Sequence, residues 1–222
     1  MPARHNSSAA RGYTMRARQE SVDQTRLRIT EATMRLHEQV GPAATTVSAI
    51  ADLAAVTRLT VYRHFPDEES LVRACSGHWR ALHPRPDPAS WASIDDPVRR
   101  LRTALSDTYR WSRHAAPMMT KMHRDLHAMP EFVSKFLTQD QQSRVTILSQ
   151  GFLATGRRTR RLRAALAHAL DFRTWHSLCV HSGLRDDEAV DLMIAAVSAA
   201  VQPPLPHPAV EVARPLSHNR AG

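Results

Sequence analysis

Side chains that bind anions and donate hydrogen bonds are concentrated between residues 57 and 64 of this chain. Val61, Tyr62 and Phe65 follow helical spacing, which leaves the polar residues around them to face outward. A guanidinium can pair with guanine through two parallel hydrogen bonds or hold a phosphate, and hydroxyl and imidazole groups can donate to phosphates. The segment therefore predicts a surface that contacts nucleic acid. The predicted contact residues are Thr46, Thr57, Arg58, Leu59, Thr60, Tyr62, Arg63 and His64.

A second short helix is predicted immediately before this segment. Its apolar residues recur at i, i+3, i+4 and i+7, as Val47, Ile50, Ala51 and Ala54. Thr46 and Thr57 each stand where the N-cap of a helix is expected. Two short helices joined by a tight turn form a helix-turn-helix, whose second helix lies in the major groove of DNA.

Residues 45–71 resemble the DNA-binding domain of the tetracycline-repressor (TetR) family of bacterial transcription regulators. That family's pattern is roughly T-T-V-x-x-I-A-x-x-A-G-V-S-x-G-T-x-Y-x-H-F-x-x-K-x-x-L. The chain follows it at Thr45-Thr46-Val47, Ile50-Ala51, Ala54-Ala55-Val56-Thr57, Thr60, Tyr62, His64-Phe65 and Leu71. The resemblance implies that the second helix binds DNA, that the Tyr62 hydroxyl reaches a phosphate, and that the following helices form a regulatory body.

Three residues depart from the family pattern. Ala55 replaces the turn glycine, so the turn must either avoid a left-handed backbone conformation or accept strain. Leu59 replaces a glycine of the recognition helix, and Glu68 replaces a lysine that reaches a phosphate in the family. These changes alter the expected operator sequence and affinity rather than the fold.

Composition favours an all-α protein. The 222 residues include only 7 glycines, the 14 prolines gather in linkers and the C-terminal tail, and strand-like alternation is absent. We expect an N-terminal three-helix helix-turn-helix domain and a C-terminal helical regulatory and dimerisation domain, with about nine helices in all. The formal charge of +9 fits a polyanionic partner. Lys121 and Lys135 are the only lysines among the 30 basic residues, and arginine is abundant in proteins encoded by GC-rich genomes, so genome composition also explains the charge.

Proline-rich and polar segments divide the chain into four parts. The predicted parts are a disordered basic arm at 1–23, the helix-turn-helix domain with a connecting fourth helix at 24–82, the ligand-binding and dimerisation domain at 83–201, and a disordered proline-rich tail at 202–222. The prolines between His83 and Pro97 predict a linker, and Pro117 is expected to open a separate helix. One continuous helix is expected from about Thr159 to His181.

Membrane proteins and enzymes are not favoured by the sequence. It has no run of about 18 apolar residues and no apolar N-terminal run, so we expect a cytoplasmic protein without a membrane partner. Cys75 and Cys179 predict buried free thiols. No catalytic order or glycine-rich phosphate loop is evident, and His123 and His127 lack a third ligand, so neither a cofactor nor a metal is expected.

A ligand cavity is the second candidate site, because the family resemblance implies an inducer pocket inside the bundle of helices after the linker. Thioether and aromatic side chains suit an adaptable apolar pocket, although the same residues also make an ordinary core. The candidate lining residues are Trp111, Met118, Met119, Met122, His123, Phe132, Phe136, Phe152, Phe172 and Trp175.

The last two long helices carry more apolar surface than a small domain can bury alone. The resemblance implies that they pair with their copies in a homodimer. The predicted interface residues are Leu166, Ala169, Ala189, Leu192, Met193, Ala196, Val197 and Ala200. The arginines of the cluster Arg157–Arg163 lie at a helix start, which is unfavourable for positive charge; a solvated loop and a site for an anionic ligand or acidic partner both remain open.

The sequence therefore predicts a ligand-responsive repressor that binds a palindromic double-stranded DNA operator and releases it when a small-molecule effector binds. One alternative is an effector-independent DNA-binding activator or architectural protein. The other is a helical metal- or ligand-binding enzyme with its site in the regulatory body. The lack of a catalytic motif argues against this alternative.

Overall fold

The computed structural model describes residues 7–152 and 154–202, with side chains from residue 15 onward. Within these ranges the chain is helical and contains no strand, which confirms the all-α prediction. The described residues form ten α-helices: α1 (Ser7–Gln39), α2 (Val47–Leu53), α3 (Arg58–His64), α4 (Glu68–Leu82), α5 (Pro88–Ala92), α6 (Pro97–Arg124), α7 (Glu131–Ser149), α8 (Arg157–Leu170), α9 (Phe172–Trp175) and α10 (Asp186–Val201). None of the described helices combines the length and the apolarity needed to cross a membrane.

Helix α1 is much longer than predicted. It begins at Ser7, so the expectation of a disordered arm over residues 1–23 is wrong from residue 7 onward, and residues 1–6 lie outside the described part. No proline interrupts the chain between Pro2 and Pro42, and alanine, arginine, glutamine and glutamate favour the helix. The tail predicted at 202–222 lies outside the described part from residue 203 onward.

The proline-rich linker contains a short helix of its own. Asp87 caps α5 by accepting a hydrogen bond from the backbone N–H of Ala89 at 2.9 Å. Trp91 of α5 is fully buried, and its indole N–H donates to Asp107 of α6 at 3.1 Å. This tryptophan therefore fixes the linker to the body.

Helix α6 runs without a break through Pro117, so the prediction of a separate helix there is wrong. Proline removes one backbone hydrogen bond, but Pro117 lies on the exposed side of the helix. Its neighbours Ala115, Met118 and Met119 are buried in the body, and their packing holds both halves of the helix in line.

The helix predicted from Thr159 to His181 is divided at Asp171. Its carboxylate accepts from the backbone N–H of Arg173 at 2.7 Å and caps α9, which continues into a π-helical stretch at His176–His181. The Tyr109 hydroxyl donates to the Ala169 carbonyl at 2.9 Å and so satisfies an acceptor at the end of α8.

Two apolar cores organise the molecule. The first, which we call the head core, joins α1, α2, α3 and the start of α4 through Ile29, Ala32, Ile50, Ala51, Ala54, Val61, Phe65 and Leu71. The second, which we call the body core, is built from helices α4 through α10 and includes the fully buried Leu105, Leu148 and Leu166. Helix α4 contributes to both cores, so it connects the helix-turn-helix to the body.

Candidate nucleic-acid interface and internal cavity

Two threonines fix where α2 and α3 begin. The Thr46 hydroxyl accepts a hydrogen bond from the backbone N–H of Ala49 at 3.1 Å, and the Thr57 hydroxyl accepts from that of Thr60 at 3.1 Å. Each cap satisfies a donor that the first helical turn leaves unpaired and contributes about 1 kcal/mol. Since α2 and α3 have only seven residues each, these caps determine the register of the motif.

The turn between α2 and α3 accepts the strain that the missing glycine implies. Ala55 has a φ of 53°, the single positive φ among the described non-glycine residues. The Val56 N–H donates to the Ala51 carbonyl at 2.9 Å, and the Ala55 N–H donates to the Asp52 carbonyl at 3.2 Å. This is the hydrogen-bond pattern that ends a helix at a left-handed residue. An alanine there costs about 1–2 kcal/mol more than glycine.

The outer face of α3 carries the predicted contact residues. Its exposed members are Arg58, Leu59, Tyr62 and Arg63. Leu59 is 71% exposed and Tyr62 is 47% exposed, whereas Val61 and Phe65 lie in the head core. Thr60 is half-buried, and its hydroxyl lies 2.9 Å from the Thr57 hydroxyl. The structure therefore places a basic, aromatic and apolar surface on one side of a short helix.

Arg26 of α1 braces the end of α3, and sequence reasoning missed it. Its guanidinium donates to the His64 carbonyl at 2.5 Å and lies 4.1 Å from the centroid of the Phe65 ring. A cation at a helix C-terminus is favourable. Burial, together with the charges of Arg26 and Arg63, lowers the pKa of His64, so this imidazole is neutral near pH 7. No local signal links Arg26 to residues so far along the chain.

Residues at the C-terminal end of α6 form hydrogen bonds with the backbone that connects α1 and α2. Arg124 donates to the Val40 carbonyl at 2.8 Å, and the Asp125 carboxylate accepts from the Ala43 N–H at 3.1 Å. Arg124 and Asp125 also pair with each other at 2.6 Å, and this contact lowers the pKa of Asp125 to about 2. We call these residues, with Gly41 between them, the α1–α6 junction.

A cavity of about 460 Å³ lies between α1, α4, α6 and α7. Its wall includes the buried residues His37, Cys75, Trp79, Met118 and Met119. Burial lowers the pKa of His37 to about 4, against an opposing effect of the Asp125 charge, and burial raises the pKa of Cys75 to about 12. The Cys75 thiol lies 3.7 Å from a ring nitrogen of His37. Both groups are uncharged at neutral pH.

Arginines stacked on aromatic rings line one side of the cavity. Arg73 of α4 lies 4.0 Å from the ring centroid of Phe132 in α7, and Arg80 of α4 lies 4.5 Å from that of Phe136. Just beyond α4, Arg85 lies 4.5 Å from a ring centroid of Trp111 in α6. The side chains that close the gap between α4 and α7 are therefore cationic and aromatic.

The predicted lining residues separate into two groups. The cavity is bordered by Trp111, Met118, Met119, Met122, Phe132 and Phe136. The other four do not border it: Phe172 and Trp175 are buried in the body core, Phe152 packs against that core, and the His123 ring stacks on Phe172 at 5.3 Å. Helical spacing identified these residues as inward-facing without showing which side of α6 they meet. It also did not predict that residues of α1 and α4 line the cavity.

The predicted dimer interface needs a similar correction. Most of its members are buried within one subunit, namely Leu166, Ala169, Ala189, Met193, Val197 and Ala200. Helices α6 and α8 pack against this stripe of α10 and cover it. Leu192 and Ala196 are exposed, and they share the outer side of α10 with Ala195 and Ala199.

The arginine cluster at the start of α8 faces solvent. Its exposed members are Arg157, Arg158, Arg160, Arg161 and Arg163. Gly156 precedes the helix and provides no side-chain cap, and the guanidinium of Arg163 lies 3.4 Å from the Thr146 hydroxyl.

Comparison with known proteins agrees with this geometry. Residues 29–75 match the family model described as bacterial regulatory proteins, tetR family. The chain is similar to the HTH-type transcriptional regulator TtgR of Pseudomonas putida, with 33% identity over 96 residues, which are 43% of this chain and 46% of the relative. The chain thus spans about half the length of the curated relatives it matches.

Solved structures extend the similarity of fold over most of the chain. A proposed fatty acid metabolism regulator of Clostridium perfringens has a TM-score of 0.57 at 15% identity, covering 80% of this chain and 100% of the other. A transcriptional regulator from Rhodococcus sp. Rha1 has a TM-score of 0.52 at 19% identity, covering 80% and 99%. The helix-turn-helix segment of this chain therefore matches the tetR family of bacterial regulatory proteins over residues 29–75, and the solved structures share its overall fold.

Proposed function

We propose that this protein is a repressor that binds a palindromic operator as a homodimer and leaves it when a small molecule occupies the cavity. The outer face of α3 carries the proposal, because Arg58, Leu59, Tyr62 and Arg63 project from a helix whose inner side lies in the head core. In a helix-turn-helix, such a face enters the major groove. The proposed role is binding rather than catalysis, and the proposed location is the cytoplasm.

Each residue of the face has a chemical role in this proposal. Arg58, in the first turn of α3, pairs with a guanine edge or a phosphate. The Tyr62 hydroxyl donates to a phosphate, and Thr46, Thr57 and His64 are further phosphate donors. Leu59 has no hydrogen-bonding group, so its exposed side chain is suited to the methyl group of thymine.

Dimerisation is assigned to the outer side of α10. Leu192, Ala195, Ala196 and Ala199 form an exposed stripe in which small side chains allow another helix to approach closely. A two-fold dimer places two copies of α3 on the two halves of a palindrome.

The cavity is joined to the DNA-binding helices by two routes. Helix α4 forms one wall and also contributes Leu71 to the head core. Helix α6 supplies Met118 and Met119 to the wall and ends at the α1–α6 junction. A ligand shifts DNA binding through these routes only if it prefers one arrangement of the helices over the other.

The test begins with selection of genomic DNA fragments by the purified protein, which should recover an enriched palindrome. Tyr62→Phe should weaken binding to all sequences, and Arg58→Ala should also relax preference at one base pair by about 1–3 kcal/mol. Arg99→Ala, an exposed substitution on α6, is the matched control. Recovery of no enriched palindrome contradicts the proposal.

Release of the selected DNA by a cavity ligand separates a ligand-responsive repressor from an activator or architectural protein without an effector. A ligand that binds only the folded protein also raises its melting temperature. Thermal shifts that never change DNA binding would favour the alternative.

A further inference from the structure

We infer that the cavity binds an amphipathic anion, specifically an unbranched aliphatic carboxylate. Its head group lies against Arg80 and Arg85, and its hydrocarbon chain lies along Met118, Met119 and Met122. This inference deepens the proposed effector role and rests on it.

The first observation is the charge of the cavity wall. The described lining residues include the cations Arg73, Arg80, Arg85 and Lys135, and no described residue of the wall is an aspartate or a glutamate. Two of these cations have carboxylate partners at the surface: Arg73 pairs with Glu69 at 2.5 Å, and Lys135 pairs with Glu131 at 2.9 Å. The wall therefore has a net positive charge that is strongest around Arg80 and Arg85.

Arg80 has no carboxylate within ion-pair distance in the described part of the chain. Its Nε donates to the Ser76 carbonyl of the preceding turn at 3.2 Å, and its guanidinium stacks on Phe136. This leaves the remaining N–H donors of the fork available. A guanidinium held by its Nε and by an aromatic ring presents its terminal nitrogens in a fixed direction, which suits a carboxylate.

Arg85 has a carboxylate partner that it must share. Asp140 pairs with Arg85 at 2.5 Å and with Arg144 at 2.8 Å, and the Arg144 side chain is 8% exposed. Two guanidiniums thus face one carboxylate, and Arg80 adds a third positive charge nearby. Burial lowers the pKa of Arg85; Asp140 opposes that shift, and Arg144 and Arg80 reinforce it. A bound anion would offset this excess of positive charge.

The rest of the wall is apolar and adaptable. Four methionines, Met118, Met119, Met122 and Met129, border the cavity with Phe132 and Val133. Thioether side chains accommodate irregular shapes, and a volume of about 460 Å³ lies within the usual range of small-molecule sites. A ligand with an acidic head and an aliphatic tail matches both parts of the wall, whereas a cationic head would meet repulsion.

The test compares three probes that share a ten-carbon chain: decanoate, 1-decanol and decyltrimethylammonium, each below its micelle concentration. Binding is measured without DNA by calorimetry and by tryptophan fluorescence, because Trp79 and Trp111 border the cavity. Decanoate should bind at least about tenfold more tightly than decanol, as expected for hydrogen bonds to a charged group, and the cation should bind most weakly. Equal or tighter binding of the alcohol or the cation overturns the inference.

Variants locate the head group. Arg80→Gln should reduce decanoate affinity by about tenfold and leave decanol affinity unchanged, and Arg85→Gln should do the same. Arg99→Gln is the matched control. Because Arg80 has no carboxylate partner in the described residues, its variant should keep the native melting temperature. An Arg80→Gln protein that is folded and binds decanoate normally, together with a normal Arg85→Gln protein, overturns the assignment.

Two further arms separate the related possibilities. Decanoyl-coenzyme A carries its negative charge on phosphates instead of a carboxylate, so tighter binding of this thioester than of decanoate overturns the carboxylate assignment. Failure of all decanoate titrations by a protein that still selects its operator refutes the ligand class alone. Failure to select an operator refutes the proposed function. The decanoate titrations of the unmodified protein and the variants test the cavity assignment independently of that result.

Discussion

Gly41→Ala should strongly destabilise the protein, because this glycine combines a special backbone conformation with a crowded environment. Its φ is +96°, and an added Cβ would collide with the Arg124 guanidinium and the Asp125 carboxylate. With a ψ of 161°, this backbone conformation is adopted almost only by glycine and costs about 1–3 kcal/mol for an alanine. Displacing one charge-assisted hydrogen bond at the α1–α6 junction adds about 1.5–3 kcal/mol. The sum is roughly 2.5–6 kcal/mol, or about 5–24 °C in melting temperature for a chain of this length.

Two other glycines separate these contributions. Gly77 lies inside α4 with no atom within 4 Å of an added Cβ, so Gly77→Ala should raise stability by about 0.5–1 kcal/mol. Gly156 has a φ of +57°, a ψ of −122° and equally open surroundings, so Gly156→Ala should lose only the backbone contribution of about 1–3 kcal/mol. Urea denaturation and thermal melting should rank the variants as Gly77→Ala, the unmodified protein, Gly156→Ala and Gly41→Ala, from most to least stable.

A Gly41→Ala protein no less stable than Gly156→Ala would refute this reasoning, because the clash with Arg124 and Asp125 would then have no energetic consequence. A Gly41→Ala loss that disappears when Arg124 is also replaced by alanine would show that the clash, rather than the backbone, dominates.

Three further predictions concern charge and assembly. Burial lowers the pKa of His37 from 6.5 to about 4, so the unfolded state binds this proton more readily and urea denaturation should show stability falling from pH 6.5 to 4, with a flatter profile in His37→Gln. Arg26→Met should cost about 0.5–1.5 kcal/mol and speed amide exchange at the end of α3, whereas Arg28→Met, an equally exposed control on the same helix without the contact to His64, should not. Ala196→Arg should stay folded yet halve the mass seen by light scattering; an unchanged dimer mass contradicts the assigned interface.

The helix-turn-helix was predicted correctly because its helices are determined by residues that lie close together in the sequence. Thr46 and Thr57 cap the two helices as predicted, and the apolar spacing of α2 and α3 leads into the head core. The helix boundaries in the linker and after α8 were not predicted, because they depend on contacts between residues that are distant in the sequence. Trp91 orders the linker by reaching Asp107, and Tyr109 satisfies the end of α8 from another helix.

The cavity and the interface were harder to predict for a related reason. Helical spacing shows which residues share a face, but it does not show which neighbouring element covers that face. The apolar stripe of α10 was assigned to a second subunit, whereas α6 and α8 cover it. Likewise, Phe172 and Trp175 were assigned to the cavity because the resemblance implies a pocket in the helical bundle and aromatic side chains suit one, but they pack in the core of the body and do not border the cavity.

The bracing of α3 from behind has an evolutionary consequence. Val61, Phe65 and the Arg26 brace secure the helix without using its outer side chains. Exchanges at such exposed positions usually change stability by no more than about 0.5 kcal/mol. Leu59, where the family pattern has glycine, is an exchange of this kind, since its side chain is 71% exposed. If this face binds DNA as proposed, target preference can therefore diverge one residue at a time among descendants of this protein, because selection on folding leaves the exposed positions of α3 largely unconstrained.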